Sequence, residues 1–351
     1  MSSLGERHGP DVCLPYMEEQ MPRELSQFET YLVHEFVEDY GDGIMSRRDM
    51  TRRVLHIVGG VAATATILTQ LGVKAASAQD GTPAPPPTPT GPRSTASVAA
   101  DDPAITASDV TFPGAEGAEI TAYQAMPSSG DGPFPVVLIC HENRGLTEHI
   151  RDVTRRWAAQ GYLAAALDLL GREGGTANIA DPAEIPALLS DDTKLQRHVD
   201  DFKAAAAYYA TQEVADAARL GMTGFCFGGG ITWRAATQMP ELKGAAPYYG
   251  PPPPLDDVPN ITAAVLGVYS DDPEDGANEG LEELTAALEE AGVTFQINIY
   301  PDTQHAFHND TGPRWNEEQA LQAWSDTVAW FEQYVKNAAA TATPVTEGVS
   351  S

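Results

Sequence analysis

Gly224-Phe225-Cys226-Phe227-Gly228-Gly229 sets a thiol between glycines, where the apolar run 220–223 gives way to a helical pattern over 229–238. A nucleophile held in so tight a strand-to-helix bend needs neighbours without side chains, because strand and helix pass close to each other there. At the N-terminus of a helix the thiol is expected to feel the positive end of the dipole and to have a lowered pKa. A thiolate attacking a carbonyl also needs a base. His305, in Tyr300-Pro301-Asp302-Thr303-Gln304-His305-Ala306-Phe307, follows the last strand-like run and precedes the terminal helical pattern, and is preferred over His308 for that role. The residues alone leave one rival reading open, a non-catalytic module that binds a small ligand and whose cysteine is merely buried. Redox chemistry ranks lower, since no Cys-x-x-Cys occurs.

The elements that must position these groups alternate. Apolar runs at 136–140, 162–167, 220–223, 245–249, 263–269 and 295–300 read as strands; 151–160, 200–210, 229–238, 279–291 and 316–336 read as helices. Such alternation predicts an α/β fold, a mainly parallel sheet covered by helices on both faces, with working residues in loops at the carboxyl ends of strands.

Three pieces together, His141-Glu142-Asn143-Arg144-Gly145 after the first core strand, the turn 224–229, and the tyrosine-proline run ending in His305-Ala306-Phe307, resemble the dienelactone hydrolase family of the α/β-hydrolase fold, over about 110–335. The order nucleophile, acid, histidine is that of α/β-hydrolases. The resemblance implies that Cys226 is the nucleophile, His305 the base, and an aspartate after the penultimate strand their orienting acid. Among Asp271, Asp272 and Asp275 the choice falls on Asp272, because the family's aspartate aligns with Pro273 and a small shift is required. It further implies that Glu142 holds the resting thiol, and that the backbone N–H groups of Phe227 and Asn143 form the oxyanion hole. Family members that bind a substrate carboxylate place an arginine where this chain has Asn309; Arg314 is the candidate substitute, with stacking on Trp315 as its alternative role. Residues 171–195 are expected to border the pocket or to be a plain surface loop.

The rest of the chain reads as export and linkage. Residues 1–45 are an acidic extension in which Leu25, Phe28, Leu32, Phe36 and Tyr40 recur at helical spacing; they suggest no function, and Met45 is an alternative start. Residues 46–78 read as a twin-arginine signal peptide: Arg47-Arg48, a weakly apolar run over 54–73, then Ala76-Ser77-Ala78 for cleavage. An uncleaved membrane anchor is the alternative. Residues 79–104, rich in Pro, Thr and Ala, read as a linker, 105–336 as the folded domain and 337–351 as a disordered tail.

Of the 351 residues 42% are hydrophobic, enough for a full core, and 50 acidic against 21 basic residues give a charge of −29. Such a surface repels phosphate backbones and anionic lipid, so nucleic acid is excluded as a partner. The three cysteines, Cys13, Cys140 and Cys226, are too scattered for a disulfide framework or a paired-cysteine zinc site. The expected protein is an exported hydrolase, periplasmic or extracellular, acting on a small ester or lactone without metal or organic cofactor. The twin-arginine (Tat) export machinery is its expected partner, with no stable membrane association after cleavage.

Overall fold

The computed structural model describes residues 24–74, 91–130 and 132–337. Eight strands, β1 (Ile105–Pro113), β2 (Glu119–Pro127), β3 (Phe134–Cys140), β4 (Leu163–Leu167), β5 (Ala215–Phe225), β6 (Leu242–Tyr248), β7 (Ala264–Ser270) and β8 (Phe295–Tyr300), form one sheet in the order β1-β2-β4-β3-β5-β6-β7-β8. From β4 through β8 all pairings are parallel, while β1 pairs with β2 and β2 with β4 in antiparallel fashion. The parallel core matches the six expected strands. The two antiparallel strands were not expected, because their alternating, partly exposed residues carry a weaker apolar signal than the buried core runs.

Helices cover both faces. On one, α4 (Glu148–Ala159) and α9 (Glu317–Phe331) bring Trp157 against Trp324 and Phe331, with ring centroids 4.9 and 4.7 Å apart. Between them in the chain come the short α5 (Ile185–Leu189), α6 (Asp192–Tyr209), α7 (Phe227–Ala236) and α8 (Leu281–Ala291). Helices α6 and α7 pack together over β3 and β5. This is the α/β-hydrolase fold.

The segment preceding the sheet is folded onto it. Helix α1 (Gln27–Gly41) starts at a capping box between Ser26 and Glu29, and buries the Phe28, Leu32 and Phe36 stripe that the sequence displays. Helix α2 (Arg47–Val58) begins just after the Ser46 cap and ends at Gly59, which takes the left-handed conformation open to glycine; α3 (Val61–Gln70) follows. Arg47 and Arg48 thus lie in the first turn of α2, and the apolar run after them is divided between two helices. Among the described residues no helix is long and apolar enough to cross a membrane. Arg52 of α2 pairs with Asp181. The expected cleavage site at 76–78 and the tail beyond 337 lie outside the described residues.

The expected linker is in part docked. Asp310 accepts the backbone N–H groups of Arg93 and Ser94 at 3.0 and 2.8 Å, and Asp152 accepts that of Val98 at 2.8 Å. Small polar residues cannot form a core of their own, but here their backbone donors meet buried carboxylates of the domain.

Candidate active site

Cys226 sits between β5 and α7 with φ 55° and ψ −120°, a backbone conformation rarely adopted by a residue with a side chain. The flanking glycines permit it. A Cβ on Gly224 would collide with the carbonyl of Gly228, and one on Gly228 with the carbonyls of Cys140 and His141. Phe227 opens α7, so its N–H has no partner inside the helix and is free to point at a reacting oxygen. Asn143, in the loop after β3, lines the same cleft as Cys226 and His305.

His305 hangs in the loop after β8, beside Ala306 at φ 63°. Its Nδ1 is 3.0 Å from Oδ1 of Asp275. The carboxylate at the imidazole is therefore Asp275 and not the expected Asp272. A turn in which the N–H of Asp275 bonds to the carbonyl of Asp272 sends Asp272 outward, where it accepts from the N–H of Glu274, and folds Asp275 back under β7. There Asp275 is buried and receives Ser270 Oγ at 2.6 Å and the N–H of Ala277 at 2.9 Å. Asp271 accepts the N–H groups of Asp302 and Thr303, which fixes the loop carrying His305. Burial works against a charged imidazole, but Asp275, together with the thiol and Glu35, raises the His305 pKa well above its ordinary value. The same histidine draws the Asp275 pKa down against the effect of burial.

The thiol does not show the expected lowering. Burial, then the carboxylate of Glu35, push Cys226 up to about 11. Nor does Glu142 hold it. Both oxygens of Glu142 accept from Asn309 Nδ2, at 3.1 and 2.8 Å, so the amide in place of the family's arginine ties this carboxylate aside. The group that takes the Cys226 thiol is Glu35 of α1, with Sγ donating to Oε2 at 3.3 Å. Glu35 Oε1 receives Asn143 Nδ2 at 3.0 Å. One turn earlier on α1, the Tyr31 hydroxyl lies 3.6 Å from Cys226 Sγ and 3.3 Å from His305 Nε2, against both side chains. One turn later, Asp39 is bonded to Arg314 Nη1 at 2.8 Å and lies 3.8 Å from Arg144.

Arg314 does line the cleft, but Asp39 and Asp42 engage its guanidinium, and the cation over Trp315 is Arg93, 4.7 Å from the ring centre. Glu35, Cys226 and His305 are the buried side chains among the described residues whose ligand atoms come close enough to grip a metal ion, within 4.8 Å of one another; hydrogen bonds among them already account for the grouping. Cys140 and Cys226 are both free thiols. Residues 31, 35 and 39 carry one signal that a sequence reading could use, since their four-residue spacing puts three polar side chains in a row beside an apolar stripe.

A strained thiol-bearing turn at the carboxyl end of a central parallel strand, met by a histidine from the loop after the last strand, is the arrangement of an α/β-hydrolase site. The family model described as "Dienelactone hydrolase family" matches residues 120–335, and the chain belongs to that family; it is a hydrolase. A Salmonella typhi protein named "Putative carboxymethylenebutenolidase" is 39% identical over 248 residues, covering 66% of this chain and 89% of its own length. A protein of the same name from Escherichia coli K12 is 38% identical over 248 residues, with the same coverage. The crystal structure titled "Putative Dienelactone Hydrolase" from Klebsiella pneumoniae superposes with a TM-score of 0.58 at 36% identity, covering 66% of this chain and all of that one.

Proposed function

We propose that the chain hydrolyses small carboxylic esters or lactones through Cys226, His305 and Asp275. The observation that carries this reading is the strained turn of Cys226 facing an imidazole whose far nitrogen is held by a buried carboxylate. Sγ attacks the ester carbonyl carbon as the thiol proton passes to His305 Nε2, and the oxyanion is received by the N–H groups of Phe227 and Asn143. Collapse expels the alkoxide, which takes the proton from His305 and leaves an acyl-thioester. Water, deprotonated by His305, then attacks the thioester, releasing the acid and restoring the thiol. Asp275 fixes the tautomer and stabilises the imidazolium. Glu142, tied to Asn309, shapes the wall of the cleft, and Arg314 is the residue proposed to meet a substrate carboxylate once it is released from Asp39 and Asp42.

Export by the twin-arginine machinery to the periplasm or the exterior is proposed on Arg47-Arg48 and the weakly apolar run that follows. The test of the chemistry is Cys226→Ala. Turnover of an activated aryl ester is expected to vanish, with the acyl adduct lost from the mass spectrum and the circular dichroism unchanged. Retained turnover would remove Cys226 from the mechanism.

A further inference from the structure

Helix α1 is the part of the molecule that ester hydrolysis does not use, although its side chains touch both Cys226 and His305. The Tyr31 hydroxyl touches both reacting atoms at once, 3.6 Å from Cys226 Sγ and 3.3 Å from His305 Nε2, and so occupies the space beside them where a substrate carbonyl would have to sit. Glu35 takes the thiol at 3.3 Å, lies within 4.8 Å of the His305 ring, and holds the side chain of Asn143. Asp39 and Asp42 neutralise Arg314, and Asp39 also faces Arg144. Between α1 and the catalytic residues the cleft keeps only about 30 Å³, bordered by Glu35, Asp39 and Ile44 on the helix side. That is space for about one water molecule and far too little for an ester with its leaving group.

The helix is seated as firmly as a core element. Phe28, Leu32 and Phe36 are buried, and the Phe28 ring meets that of Phe227, the residue after the nucleophile, at 5.3 Å. From these contacts we propose that α1 is an internal blocker of the active site, and that separating it from the catalytic domain turns the hydrolase on. The proposal rests on the hydrolase reading for the activity it controls, but the blocking itself is a matter of access to the thiol.

Two further observations agree. After burial, the largest influence raising the Cys226 pKa is Glu35 of α1, so the helix also helps to keep the thiol protonated. And α1, α2 and α3 all precede Ala76-Ser77-Ala78, so a cut there would detach the three helices as one piece. Processing of the signal and opening of the cleft would then be the same event. Residues 93–98, on the other side of that cut, stay bonded to Asp310 and Asp152.

The experiment uses the full chain with a specific protease sequence placed within 79–90, assayed before and after cutting. Two readouts run in parallel, the rate of Cys226 carbamidomethylation by iodoacetamide and the turnover of an aryl acetate. At nanomolar protein the cut segment loses its tether and its millimolar effective concentration, so both rates are expected to rise about tenfold or more. The labelling midpoint should also fall below the value near 11 of the uncut chain. Should the cut segment remain seated, Tyr31→Ala with Glu35→Ala in the uncut chain decides: a blocker predicts faster labelling, whereas labelling that is not raised, with slower turnover, would make these residues working parts of the site and overturn the proposal. Equal labelling rates before and after the segment has been separated by gel filtration would overturn it as well. Faster labelling without any ester turnover would uphold the blocker and sink the hydrolase reading instead.

Discussion

Replacing Asp275 by asparagine tests the geometry of the site most directly. The carboxylate is buried and makes three hydrogen bonds, to Nδ1 of His305, Oγ of Ser270 and the N–H of Ala277. Asparagine keeps the shape and loses the charge. Of the influences on His305, burial, which disfavours the imidazolium, remains, and the largest opposing one, Asp275, disappears. A hydrogen bond to a charged partner contributes about 1.5–3 kcal/mol. If that stabilisation is felt fully by the imidazolium in the transition state, the loss is roughly tenfold to 150-fold in kcat. The amide also favours the wrong imidazole tautomer, and in serine triads the corresponding change reaches about 10⁴-fold. A fall in kcat between these limits with KM little changed is therefore expected for Asp275→Asn, measured by stopped-flow on one activated ester. Asp272→Asn, at an exposed turn, should stay within about twofold of the parent, as surface changes do. A collapsed rate for Asp272→Asn beside a normal one for Asp275→Asn would refute the reasoning.

Asp310 anchors a buried charge cluster with Arg156 at 2.8 Å and His149 at 3.0 Å; Arg156 keeps Asp152 when Asp310 is lost, so Asp310→Ala should cost about 1–3 kcal/mol in urea unfolding, by leaving His149 and the N–H groups of Arg93 and Ser94 without their acceptor. Its pKa is drawn down against burial by His149 and Arg156. A depressed carboxyl stabilises the fold fully above its unfolded value near 4 and loses that contribution as pH falls further, so the Tm gap between parent and Asp310→Asn should narrow below about pH 4. Conversion of Arg47 and Arg48 to lysine should leave the full-length precursor inside the cell, as read by fractionation and immunoblot; undiminished export would reject the twin-arginine route.

What the sequence displayed was whatever is decided locally. The turn at 224–229 is legible because glycine spacing and the strand-to-helix change occur within a few residues, and β3, β4, β6 and β7 are legible because both their faces are buried. Asp275 was among the three acids weighed, but which of them turns inward depends on a turn around Pro273 that spacing cannot resolve. Strands β1 and β2 carry mixed, partly exposed residues, and the docking of 91–104 depends on Asp152 and Asp310, far along the chain. The amphipathic pattern of α1 was plain, and its destination was not. An apolar stripe looks the same whichever surface covers it, and Tyr31 and Glu35 meet Cys226 across more than 190 residues of chain.

The bonds of residues 93–98 also decide where mechanical load goes. Anything that draws this chain by its leading segment puts tension on the backbone between α3 and β1. Once α1 to α3 have been drawn off, the next points of resistance on that path are the bonds to Asp310 and Asp152, reinforced by the Arg155 guanidinium on the carbonyl of Val98 at 2.6 Å. Several charge-assisted bonds loaded together hold better than one loaded alone. Traction is thus carried into α4 and the loop after His305 before it can reach the edge strand of the sheet, and the sheet is protected from being unravelled from that end.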